Sequence, residues 1–464
     1  MAATVQESGH ADATAARRAG IALAVIVACQ LMVVLDSTVV NIAISQIHAS
    51  LHFSTAGLSW VIDAYSLTFG GLLLLGGRAG DMFGRRRMLI VGLLVFTVAS
   101  LAGGLAVSSA MLVIARAAQG VGAAMAAPST LSLIAANFEE GKARNKALAI
   151  FSAVSAGAGS LGLILGGALT EASWRWVLFI NVPIGLAIIL LAPRYITELP
   201  RKEGQLDLPG ALLSTAGLTA LIYGFIRIGQ GGASTGLLIG LFAAAVVLLA
   251  LFIVVEARTA SPLMPLHLIV NRARGLTYLV MFGISAAVFG MFFFISQYAQ
   301  NGLHYSALVT GLAFLPLTVT VFALSRVMPK VLGKTGPRLP LLCGTAAIAI
   351  SLVWEARTPA GEGYLAGLFG PLLLFGIGVG LSYLPMSSTI LSGVDRDDQG
   401  SASGIYQAMQ QIGGSVGLAV LVSIRVGHSQ ATALETAAVF AAVAFVLTWA
   451  ATAGLKQRRQ AEQH

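Results

Sequence analysis

Apolar runs of about 20 residues, the length a helix needs to cross a hydrocarbon layer, recur from one end of this chain to the other. Fourteen can be marked: 20–44, 57–77, 88–107, 111–135, 147–169, 175–193, 210–229, 236–256, 276–300, 308–328, 338–354, 364–386, 404–426 and 432–454. No water-soluble core could hide that much apolar surface. Soluble domains carry roughly 25% charged residues, whereas 10% of these 464 residues are charged and 57% are hydrophobic. The expected fold class is an all-α polytopic membrane protein with fourteen transmembrane helices. The seventh and eighth runs are the least cleanly parted, because Gly229 to Gly236 gives only a short polar break.

The formal net charge of +9 would suit a nucleic-acid binder, but its placement argues otherwise. With an even helix count and both termini cytoplasmic, 23 of the 28 Lys and Arg fall in the tails, the cytoplasmic loops or the adjoining helix ends. Only Arg116, Arg175, Arg227, Arg357 and Arg425 fall elsewhere. This is the positive-inside distribution, so basicity here encodes topology, in a plasma membrane and with no nucleic acid as partner. The first run follows Arg17-Arg18, is too long for a cleavable signal, and reads as a retained helix. Cys29 and Cys343 lie in separate runs and show no disulfide or metal spacing. His48 and His52 have i, i+4 spacing but lack further ligands, and read as a solvated loop. There is no phosphate-binding G-x-x-x-x-G-K-[ST] loop, no H-E-x-x-H pair and no serine elbow. Neither an enzyme, a cofactor nor a metal is expected.

Between the second and third runs the chain reads Gly77-Arg78-Ala79-Gly80-Asp81-Met82-Phe83-Gly84-Arg85-Arg86-Arg87. Glycines allow a tight reversal there, and Asp81 can pair with an arginine. The pattern G-x-x-x-D-x-x-G-R-R-R resembles the helix 2–3 loop signature of the major facilitator superfamily of secondary transporters. A fainter copy, Gly336-Pro337-Arg338, lies 252 residues on, with Gly333 where Asp81 would stand. The resemblance implies two six-helix halves with two helices inserted between them. The expected divisions are a tail at 1–19, an N-terminal half at 20–200, the inserted helices at 201–260, a C-terminal half at 261–455 and a tail at 456–464. Transporters of this class bind substrate near the midplane, between the halves. Gly77, Asp81, Gly84, Arg85 and Arg86 would then form a cytoplasmic latch that breaks as the halves rock.

Three ionisable residues interrupt apolar runs of the first half: Asp36, Asp63 and Arg116. Each costs roughly 2.5–3.5 kcal/mol at a helix centre, so their retention implies either a proton or cation site or a buried structural ion pair. Asp36 lies in Leu35-Asp36-Ser37-Thr38-Val39-Val40-Asn41, which resembles the first-helix motif of the fourteen-helix drug:proton antiporter family. Asp63, in Trp60-Val61-Ile62-Asp63-Ala64-Tyr65, occupies a place where multidrug members that export aromatic and quaternary cations are similar. A carboxylate facing an apolar cavity attracts lipophilic cations, and nearby aromatic rings add cation–π attraction. Arg116, Gln119 and Gly120 share one helix face by their i, i+3, i+4 spacing. They resemble the family's R-x-x-Q-G motif, whose arginine is implicated in proton coupling.

In the fifth run, Gly162, Gly166 and Gly167 resemble the antiporter motif G-P-x-x-G-G. Leu163 replaces its proline, the residue that would bend the helix by removing a hydrogen bond. The following Trp174-Arg175-Trp176-Val177-Leu178-Phe179-Ile180-Asn181-Val182-Pro183 resembles the family block W-R-W-x-x-F-x-N-x-P and reads as structural. The expected cavity wall comprises Asn41, Tyr65, Gln119, Gln297, Gln300, Gln407 and Gln411. In the second half, interhelical hydrogen bonding is an equal reading of the glutamines. The resemblance implies a monomeric, proton-driven antiporter in the lipid bilayer. It would export small lipophilic, often cationic, molecules by alternating access, with the proton gradient as its energy source. Export of a neutral or anionic metabolite, such as a self-made antibiotic, is the alternative.

Overall fold

The computed structural model describes residues 2–53, 60–198, 207–230, 233–259, 262–359, 362–395, 398–427 and 430–461. The side chains of Asn41 and Asp63 lie outside what is described. Each predicted apolar run coincides with helix, and no strand occurs among the described residues. The principal helices of the first half are α1 (Ala2–Leu51), α2 (Trp60–Phe83), α3 (Arg85–Gly104), α4 (Ser109–Asn137), α5 (Lys142–Ala172) and α6 (Asn181–Tyr195). Next come the inserted pair, α7 (Leu208–Gln230) and α8 (Thr235–Glu256). The second half holds α9 (Arg272–Gln297), α10 (Leu315–Thr335), α11 (Arg338–Arg357), α12 (Gly370–Leu391), α13 (Gln399–Gly427) and α14 (Gln430–Ala461). Among the described residues, ten helical stretches are long and apolar enough to span a membrane.

Short polar residues start several of these helices. Ser108 accepts the Met111 N–H at 3.3 Å to begin α4, and Asn271 accepts the Arg274 N–H at 3.2 Å to begin α9. Such caps satisfy donors that a helix leaves unpaired in its first turn. Both basic loops turn on a glycine in the left-handed region. Gly84 enters α3 at φ 102° and Gly336 leaves α10 at φ 69°, which supports the internal echo of the sequence.

Helices α1–α6 pack on one another, as do α9–α14. The halves meet chiefly where α2 lies against α13 and α5 against α10 and α12. The α7–α8 hairpin rests on α2 and α13. Small residues set these approaches. A β-carbon on Gly311, ahead of α10, would stand 2.8 Å from the Ile164 nitrogen of α5. One on Gly162 would stand close upon the Thr38 hydroxyl, and one on Gly166 3.2 Å from the Val39 Cα, so the glycine motif seats α5 on α1. Leu163 does not leave α5 straight: Lys142–Gly159 and Ile164–Ala172 are bent by 48°. Glycines at 157, 159 and 162 crowd this stretch, and kinks occur at glycine as well as at proline.

Candidate functional site

Asp36, deep in α1, is the hub of a buried polar cluster in the first half. Its Oδ2 accepts a 2.5 Å bond from Arg116 Nη1 of α4. Its Oδ1 accepts from Gln119 Nε2 at 3.0 Å and from Asn181 Nδ2, at the head of α6, at 2.9 Å. Arg116 also donates to Gln119 Oε1 at 2.9 Å and, through Nε, to the Val61 carbonyl of α2 at 2.8 Å. Gln119 Nε2 lies 2.7 Å from Ser100 Oγ of α3. Tyr65 lies beneath the guanidinium, its ring centre 4.5 Å from the Arg116 Cζ, and donates its hydroxyl to the Val33 carbonyl at 3.3 Å.

Five helices therefore contribute to one charge-neutral centre. Taking an ion pair out of water costs several kcal/mol per ion unless the remaining lone pairs and protons are met. The surrounding amides and carbonyls meet them here. The helical spacing read in Arg116, Gln119 and Gly120 is what presents two donors together to Asp36. Gly120 does something different: a β-carbon there would stand 2.5 Å from the Tyr65 carbonyl, so glycine lets α4 touch α2.

Asp36 and Arg116, expected as proton or cation residues, meet Gln119 and Tyr65, expected in the cavity wall, at this one centre. Sequence reasoning missed Asn181 and Ser100. Asn181 belongs to the aromatic block read as structural, and Arg175 of that block does have a structural task. Its Nη1 donates to the Gly104 and Ala106 carbonyls at 2.7 and 2.9 Å, and it stacks on Trp174 at 4.7 Å. Asn181, five residues after Trp176, instead reaches the charge centre. Replacing Asn181 with Ala removes one of the two amide donors to Asp36 Oδ1. A hydrogen bond to a charged group is worth about 1.5–3 kcal/mol, so the purified variant should melt measurably below the unaltered protein. An unchanged melting temperature would show that Gln119 alone suffices.

The second-half glutamines divide. Gln407 of α13 is buried and lies 3.5 Å, Nε2 to Oε1, from Gln30 of α1, a partner the sequence did not indicate. Gln411 is half-buried beside Gly70 of α2. Gln297 ends α9, but Gln300 is exposed on the π-helical turn Tyr298–Gly302. The α-helix stops at Gln297, and the wider turn that follows leaves Gln300 exposed.

At the basic end of the bundle, Asp81 and Arg85 form a buried pair, with Oδ1 2.6 Å from Nη2 and 3.0 Å from Nε. Asp81 Oδ2 faces Ser401 Oγ of α13 at 3.5 Å. Arg86 makes its bonds elsewhere, with an ion pair to Glu198 at 3.7 Å. Its Nη1 donates to the Pro193 and Ile196 carbonyls at 3.3 and 3.0 Å, where α6 ends. Glu198 accepts the backbone N–H groups of Arg86 and Arg87 at 3.0 and 3.2 Å, capping α3. Past Gly84 the chain is helical again, so Arg85 alone turns back to Asp81 and Arg86 points about 100° away. Two further bonds close this end across the halves: Ser403 Oγ donates to the Pro128 carbonyl at 2.6 Å, and Ser132 Oγ to the Gln399 carbonyl at 3.2 Å. A β-carbon on Gly404 would stand 3.6 Å from the Gly77 Cα at the same seam.

Comparison with known proteins agrees with this architecture. The puromycin resistance protein pur8 of Streptomyces alboniger is 41% identical over 421 residues, covering 88% of this chain and 82% of that one. The cephamycin export protein CmcT of Amycolatopsis lactamdurans is 40% identical over 410 residues, covering 86% and 84%. Among solved structures, the proton:xylose symporter XylE superposes with a TM-score of 0.66 at 14% identity, covering 94% of this chain and 96% of that one, a likeness of fold alone. The Major Facilitator Superfamily model matches residues 26–418. With the fold, the motif loop and the relatives in agreement, this chain belongs to the major facilitator superfamily, a family of membrane transporters and not of enzymes.

Proposed function

We propose that this chain is a proton-coupled antiporter that exports lipophilic, often cationic, drugs across the plasma membrane by alternating access. The observation that carries the reading is the buried Asp36–Arg116 pair with its full set of neutral donors. An intramembrane acid whose counter-ion is a single arginine exists in two states. Ionised, it holds Arg116; protonated, it releases the guanidinium, which keeps the Val61 and Gln119 oxygens. A proton arriving from outside would trade the ion pair for a neutral acid and loosen α1 from α4. Its loss to the cytoplasm would restore the pair. The basic end, cytoplasmic by the positive-inside rule, is the closed one, and Asp81 with Arg85 lies at its seam. Energy comes from the proton gradient, and the working unit is the monomer in its bilayer.

A dedicated exporter of a self-made antibiotic is the second reading, favoured by relatives whose names specify a single antibiotic. The two separate on cargo charge. In everted vesicles energised to an acid interior, ethidium should dissipate the pH gradient, and Asp63→Asn should weaken that response more than the response to a neutral substrate. Equal loss for both would remove Asp63 from cation recognition. No response to any of a broad set of cations, with folded protein present, would favour the dedicated exporter.

A further inference from the structure

Outside the charge centre, a second pair of buried acids sits on the inserted helices. Asp207 immediately precedes α7, and Glu256 is the last residue of α8. They are 6% and 3% exposed. Asp207 Oδ1 accepts the Gly210 N–H at 2.9 Å and caps α7. Glu256 accepts the N–H groups of Leu263 and Met264 at 3.3 and 3.0 Å. It thereby holds the segment that enters the second half against the end of α8. Asp207 Oδ2 is shut off from water and has no hydrogen-bond partner. It is aimed at Glu256: a β-carbon on Gly210 would stand within 3 Å of both Asp207 Oδ2 and Glu256 Oε1.

Two acceptor oxygens therefore face each other across a small gap, out of water. Like charges sharing a site cannot both ionise. Among the described residues, Asp207 is the only ionisable group that acts on Glu256. Arg258, just beyond α8, is exposed. Arg274 of α9 is spent on the Ile390 and Ser392 carbonyls. On α2, which packs against α7, Asp81 is paired with Arg85 of α3, and neither they nor Arg78 acts on Glu256.

We propose that Asp207 and Glu256 bind one proton between them, a proton site separate from Asp36, and that this proton fastens the inserted helix pair to the lead-in of the second half. The proton lies between Asp207 Oδ2 and Glu256 Oε1. The single negative charge that remains is met by the N–H groups of Gly210, Leu263 and Met264. Uptake and release belong to the pair and not to either acid. The stability this proton contributes is present at low pH and is lost as rising pH strips it away.

The test is thermal unfolding of the purified protein in lipid nanodiscs at about pH 6 and about pH 9, with each acid in turn made an amide. The unaltered protein should melt about 5 °C lower at the alkaline pH. Glu256→Gln replaces the proton with an amide N–H that donates to Asp207, and its melting temperature should stay level across the range. Asp207→Asn should do the same from the other side, so one variant serves if the other fails to accumulate. Asp36→Asn should keep the wild-type slope, which separates this site from the charge centre. Infrared difference spectra between the two pH values should show a protonated-carboxyl band that both amide variants lose. An unaltered protein indifferent to pH, or amide variants that retain its slope and its carboxyl band, would overturn the proposal.

Discussion

Asp36→Asn should release no protons above background when substrate is added to everted vesicles, a loss of at least about 100-fold if Asp36 is the proposed coupling acid. Asparagine keeps an oxygen for the Gln119 and Asn181 amides, but it takes up no proton and gives Arg116 no counter-ion. An uncompensated buried charge costs about 3–5 kcal/mol, so the variant should also melt earlier than the unaltered protein. Stability and coupling can be told apart by a second change. Adding Arg116→Gln removes the orphaned charge, and the double variant should recover much of the stability while staying uncoupled, the non-additivity expected of groups in contact. Full transport by Asp36→Asn would reduce the centre to a structural ion pair and move the coupling site elsewhere.

Gly120→Val should yield almost no folded protein. A β-carbon there would meet the Thr68 hydroxyl first, and then main chain: the Tyr65 carbonyl at 2.5 Å and the Phe69 nitrogen at 3.0 Å. The hydroxyl can rotate away, but the carbonyl moves only if α2 moves. The Thr68 hydroxyl also donates to the Ala117 carbonyl of α4 at 2.9 Å, and that bond would be lost as the helices part. Ordinary overpacking costs about 1–3 kcal/mol, and a collision with backbone should lie at or above the top of that range. Gly120 is one turn from Arg116, so parting the helices also pulls the Val61 carbonyl away from the guanidinium. Size-exclusion chromatography of a fluorescent fusion reads the outcome directly. A monodisperse peak of wild-type height would mean that α2 and α4 tolerate a wider spacing than they show.

The fold was legible because its signal is long and repeated: an apolar run of 20 residues is hard to mistake, and basic loops between runs orient them. The charge centre was legible for a related reason. Asp36 and Arg116 stand out in apolar surroundings because each is costly there, and the motif spacing put Gln119 beside them. The partners that escaped are neutral or common. Asn181, Ser100 and Gln30 look like any polar residue of a membrane helix until the fold brings them within 3.5 Å of the groups they serve. Glu198 lay in an ordinary acidic loop, 112 positions from the N–H of Arg86 that it binds. Arg86 was placed beside Asp81 and Arg85 by the loop motif, whereas past the turn at Gly84 it is Arg85 that faces back to Asp81. The bend of α5 was hidden by the reverse error, since proline is only one of the residues that let a helix kink.

The seam at the basic end has a thermodynamic consequence. Its cross-half bonds run from serine hydroxyls to two main-chain carbonyls and one carboxylate, with the Arg85 guanidinium kept inside its own half. A neutral hydrogen bond contributes a net of only about 0.5–1.5 kcal/mol because water replaces it readily. Among the described residues, the cross-half bonds at this seam are small increments of this kind, the one to the Asp81 carboxylate being the strongest in type. Under the proposed alternating access, two conformers separated by so little would coexist at measurable populations. A ligand need then favour one of them by only a few kcal/mol to invert their ratio. On the proposed reading, a proton taken up at Asp36 would be the weight that tips such a balance.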